Sequence, residues 1–153
     1  MQFQFDLIRH SRKNLITLLE PYSLDQLNQV PSGFSNNLIW NFGHAIISQQ
    51  LLCYGLSGLQ PVVSEELIAK YRKGTAPSVP ASQVEFDELK SLAIETVDIL
   101  ERDYQQAIFK EYQEYQSHFG VLISSIEDAI AFSITHEGLH MGYIMAMRKV
   151  ISN

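Results

Sequence analysis

Cysteine is nearly absent from this chain: Cys53 is the only one among 153 residues, so no internal disulfide can form. The fold must be held by its core, and 153 residues suffice for one domain, residues 1–153, with a sizeable core. Long apolar runs are missing too. No stretch reaches the roughly 18 uninterrupted apolar residues of a membrane span, so no membrane partner is expected. No basic region followed by an apolar signal core opens the sequence, and the expected location is the cytoplasm. Positive charge is sparse, with 11 basic residues against 17 acidic ones and a net charge of −6. No Lys/Arg stripe or basic recognition helix is visible, which argues against nucleic acid as partner. There is no internal repeat, no low-complexity tract and no strong strand pattern.

What is present is helical periodicity. A first long helix is expected from Phe3 to Glu20, with Phe5, Ile8, Arg12, Leu15, Leu18 and Leu19 in its stripe and Pro21 ending it. Ser23 with Gln26 reads as a capping box for a short turn. A second long helix, capped by Ser35 or Asn36, should run from Asn37 to Leu56. It is apolar on more than one face and therefore well buried. Cys53 within Leu51-Leu52-Cys53-Tyr54 reads as a buried structural thiol, not a nucleophile. Residues 57–82 are too long for a simple bundle loop and should form a shaped crossover that narrows a cleft. Ser82 with Glu85 caps a third helix to about Phe109, and Ser124 with Glu127 a fourth that ends near Val150. The economical fold is all-α: an antiparallel four-helix bundle with a long crossover between helices two and three.

The chemistry-bearing residues are histidines. His136 and His140 lie four apart in the fourth helix, which puts both imidazoles on one face. His44 sits in the second long helix, one turn after Trp40. Three imidazoles from two helices make a three-nitrogen metal site with room for water or substrate. Spacing alone does not choose among zinc, nickel, iron and manganese. His136-Glu137 followed by His140 also matches the short pattern of zinc peptidases. That reading fails, because no histidine follows His140 and Glu137 points about 100° away from His136. Glu137 is then a residue for the surroundings of the site or a partner for a basic group. Further candidates for the surroundings or the cleft are His10, Asn41, Gln50 and Tyr143. His118 reads as a non-ligand. Gly138 and Gly142 inside a good helix suggest close approach of another backbone or a ligand.

Two segments carry a family resemblance: Asn37-Leu38-Ile39-Trp40-Asn41-Phe42-Gly43-His44, and His136-Glu137-Gly138-Leu139-His140-Met141-Gly142-Tyr143-Ile144. Gly74-Thr75-Ala76-Pro77 and Phe119-Gly120 add to it. On these the chain resembles the DinB/YfiT-like superfamily of helical-bundle metalloproteins, which is unrelated to the DNA polymerase called DinB. The resemblance implies a metal held by His44, His136 and His140, with zinc or nickel leading, and a homodimer. It also implies a small-molecule substrate. Some relatives transfer a low-molecular-weight thiol, others look like hydrolases, so the expected activity is a thiol S-transferase or a hydrolase. The alternative is a non-catalytic metal- or ligand-binding protein of the stress response. Arg12 and the Tyr71-Arg72-Lys73 segment are candidate anion contacts.

Overall fold

The computed structural model describes residues 1–151. Within them the chain is all-α apart from one minimal β-hairpin. Helix α1 (Gln2–Leu19) buries Phe5, Ile8, Arg12, Leu15 and Leu19, a three-and-four spacing that draws one face of a helix. Helix α2 (Leu24–Asn28) opens with the expected capping box between Ser23 and Gln26. Helix α3 (Leu38–Cys53) is capped by Asn37, whose side chain accepts from the Trp40 amide at 2.8 Å; neither Ser35 nor Asn36 does this. Every residue from Leu38 to Ile47 is buried, so α3 is the central helix.

The crossover contains helix α4 (Glu65–Tyr71), capped by Ser64. Helix α5 (Gln83–Gln105) starts at the Ser82 cap but stops four residues short of the expected Phe109. Ala107 takes a left-handed backbone conformation there (φ 54°), which an α-helix does not tolerate. Strands β1 (Tyr115–Gln116) and β2 (Leu122–Ile123) pair antiparallel, with Tyr115 opposite Ile123. Gly120, at φ 76°, supplies the positive φ of their connection. Helix α6 (Ile126–Met147) is capped by Ser125, which accepts from the Asp128 amide, one position later than the Ser124/Glu127 pair read from sequence. Ser124 instead bonds the Asp128 carboxylate through both its amide and its hydroxyl.

Helix α6 packs on α3 and α1, and α5 packs on α1 and α3. The core falls into two apolar halves. One contains Leu15, Leu19, Phe42, Leu89, Ala93 and Ile144. The other contains Phe5, Ile8, Cys53, Val97, Leu100 and Ile130. Arg12, Gln49, Thr96 and Glu137 come between these halves in the sequences of α1, α3, α5 and α6, and each is at most 1% exposed. A polar layer thus interrupts the core, and in α6 its member Glu137 directly follows His136.

Candidate metal centre and its pocket

His44 from α3 and His136 and His140 from α6 converge. One ring nitrogen from each lies within 4.8 Å of the others, so the three form a group able to hold a metal ion. The Nε2 atoms of His136 and His140 are 3.3 Å apart. Two nitrogens about 2.0–2.1 Å from one tetrahedral ion are about 3.3 Å from each other, so the His136–His140 pair already has the spacing such an ion needs.

The outer nitrogens fix how the rings point. His44 Nδ1 is 2.7 Å from the Tyr71 carbonyl oxygen, to which it donates. Its Nε2 is left as the inward lone pair, 3.2 Å from the Ser48 hydroxyl. His140 Nδ1 is 2.9 Å from Asn41 Oδ1. The Asn41 amide nitrogen donates to the Asn37 carbonyl at 2.8 Å and to Asn36 Oδ1, so Oδ1 is its accepting end. His140 must then carry its proton on Nδ1 and present Nε2 as a lone pair. Such partners behind ligand histidines set tautomer and orientation.

The crossover holds His44 from outside. Trp40 stacks on it with ring centroids 4.6 Å apart and planes 9° from parallel. The Trp40 indole donates to Thr75 Oγ1, which itself donates to backbone carbonyls of the crossover. Tyr71 lies so close to α3 that a Cβ on Gly43 would sit 2.6 Å from its ring. Gly43 therefore admits the ring and, with it, the carbonyl that orients His44. Gly138 and Gly142, expected to mark a close approach, face open space, with nothing within 4 Å of where a Cβ would sit. The tyrosine hydroxyl bonds Glu85, which also pairs with Lys70.

Burial sets the electrostatics. Desolvation pulls His44 below the usual histidine range, helped by the positive charge of Lys73 and opposed by the Tyr71 carbonyl. Desolvation and the neighbouring histidines bring His136 down to about 4 and His140 to about 3. All three are neutral at pH 7, the form that ligates metal.

Glu137 points away from this cluster. Its Oε1 accepts from Arg12 Nε at 2.8 Å and lies 2.7 Å from Arg12 Nη2, both side chains being 1% exposed. Arg12 also donates to the Ala93 carbonyl, to Thr96 Oγ1 and to Gln49 Oε1. One guanidinium therefore ties α1 to α3, α5 and α6. It is not free to meet a ligand anion, contrary to the expectation from sequence. Glu137 Oε2 and Gln49 Nε2 have no hydrogen-bond partner among the described residues. Burial raises the Glu137 pKa, and Arg12 opposes the rise.

A pocket of about 420 Å³ borders His44 and His136. Its polar edge includes Lys73, Tyr115, Ser117 and His118. His118 is thus beside the pocket but outside the histidine cluster. The hairpin that carries Tyr115 to Phe119 shows no strand pattern in the sequence. The other candidates lie elsewhere. His10 is exposed on α1, bonding the Asp6 carbonyl. Gln50 accepts from the Val62 amide. Tyr143 packs edge-on against Phe34 at 5.2 Å and is 39% exposed. Cys53 is buried in the core, and desolvation pushes its thiol up to about 12, as suits a structural role.

Fold and site together define a mostly helical protein with a partly buried three-histidine cluster open to a pocket on one side. Residues 7–144 match the family model of the DinB superfamily, and the chain belongs to that superfamily. No curated protein sequence matches the chain. Among the described residues, no helix is long and apolar enough to cross a membrane.

Proposed function

We propose that the protein is a divalent-metal-dependent enzyme acting on a small molecule, as a thiol S-transferase or a hydrolase. The observation that supports it is the convergence of three neutral imidazoles at the edge of a pocket. His44, His136 and His140 would hold the cation. Zinc or nickel suits the all-imidazole set best, and iron or manganese is compatible with it. Bound there, the cation supplies Lewis acidity that lowers the pKa of a thiol or of water. The protein's own groups do the rest. The Tyr71 carbonyl and Asn41 Oδ1 aim the lone pairs inward, and Ser48 places a hydroxyl 3.2 Å from His44 Nε2. The apolar walls make the space beside the histidines one of low polarity. A pocket touching two of the three histidines favours this reading over a non-catalytic metal- or ligand-binding role in the stress response, for which a closed cluster would suffice.

The four long helices α1, α3, α5 and α6 are read as a four-helix bundle, with α4 in the crossover between its second and third members. A cytoplasmic homodimer completes the proposal; light scattering of the purified protein at two concentrations checks the dimer. The site is tested by elemental analysis of untagged protein purified without added metal, beside the His136→Ala variant. Stoichiometric metal that falls sharply in the variant supports the reading. A parent that neither carries metal nor takes up zinc, nickel or manganese overturns it.

A further inference from the structure

The pocket beside the triad is apolar, with one permanent charge. Leu51, Leu52 and Leu56 come from α3 and the turn after it, Phe132 and Leu139 from α6, and Phe119 from the hairpin. The Phe132 ring stacks near His136, with centroids 6.1 Å apart and planes at 26°, so the apolar wall reaches the histidines. No carboxylate among the described residues lines the space. Lys73, carried by the crossover, is the only Lys or Arg among the described residues at its edge. Its ammonium lies 3.3 Å from the Tyr115 hydroxyl, and no described carboxylate forms an ion pair with it.

A volume of about 420 Å³ is in the range of small-ligand sites. A polar peptide-like thiol would leave its amides and several charges against leucine and phenylalanine walls, which is costly. An apolar body gains by displacing water from the same walls, and one anion answers the lysine. We infer that the pocket takes a substrate with an apolar chain or ring and a single anionic group, the apolar part against Leu51, Phe132 and Leu139 and the anion at Lys73. This rests on the reading that the pocket serves the histidine cluster.

The test is calorimetric titration of octanoate, 1-octanol and glutathione into chelator-stripped and zinc-loaded protein. Octanoate is expected to bind the stripped protein more tightly than either comparison compound. Lys73→Met should weaken octanoate about threefold or more and leave octanol unchanged. Leu139→Asp, at a half-exposed position where folding is not at stake, should weaken both. Octanol matching octanoate on the parent, glutathione binding more tightly, or indifference to Lys73→Met overturns the inference. Because the stripped protein is measured by itself, the two readings fail separately. Absence of metal uptake with octanoate selectivity intact sinks only the proposed enzyme, and normal metal uptake without selectivity sinks only the substrate class.

Discussion

His140 on α6 donates from Nδ1 to Asn41 Oδ1 on α3, 2.9 Å away. The two helices that supply the triad are thus cross-linked through the triad itself. A change at Asn41 alters how one histidine points without touching the ion position. Asn41→Leu should lower zinc affinity by about 10- to 100-fold, and Asn41→Asp, which keeps an acceptor at that place, should recover much of it. Competition against a chromophoric chelator measures both. Equal affinity in parent and Asn41→Leu, with the fold intact by circular dichroism, would contradict the orienting role.

The Arg12–Glu137 pair is fully buried, so losing one partner strands the other. Arg12→Met or Glu137→Leu alone should cost about 3–5 kcal/mol of stability. The double variant should cost clearly less than the sum of the two. Urea denaturation of the metal-free protein gives the four values needed, and strict additivity would show that the pair is not coupled.

Acid should destabilise the metal-free protein through the triad. The folded pKa values of His136 and His140, about 4 and about 3, lie below the unfolded value of 6.5. The unfolded chain therefore binds more protons in that interval, and stability drops as the pH is lowered. The contribution is complete above pH 6.5 and is lost progressively toward pH 3. Urea midpoints at pH 7 and pH 5 should differ more in the parent than in a His136→Phe/His140→Leu variant. An equal or smaller difference in the parent would refute the assignment.

Two glycines should respond in opposite ways to the same change. Gly43→Ala drives a methyl group to 2.6 Å from the Tyr71 ring and should cost about 1–3 kcal/mol, with weakened metal binding because the Tyr71 carbonyl moves. Gly138→Ala, facing open space inside α6, should stabilise by about 0.5–1 kcal/mol. Thermal melts of both variants decide the point; a neutral Gly43→Ala would show that the ring yields easily.

The long helices and the triad are legible in the sequence because helical spacing and the i,i+4 histidine pair are local properties. What surrounds the triad is legible only in part. Asn41 can be suspected from its place one turn before His44, but the Tyr71 partner is a backbone carbonyl, which no side-chain pattern reveals. Arg12 in an otherwise apolar stripe is a visible anomaly. That its partner is Glu137, 125 positions on, depends on α1 lying beside α6. Gly43 does not stand out beside Gly138 and Gly142, because sequence shows where a side chain is missing and not what fills the space. The two-residue strands are too short for any alternation to show.

Trp40 is the only tryptophan in the chain, and it stacks flat on His44. The protein thus carries its sole indole fluorophore in van der Waals range of the group that would change most on cation uptake. Emission intensity should therefore change when the imidazole takes up a cation, a label-free signal readable on the millisecond scale of stopped flow.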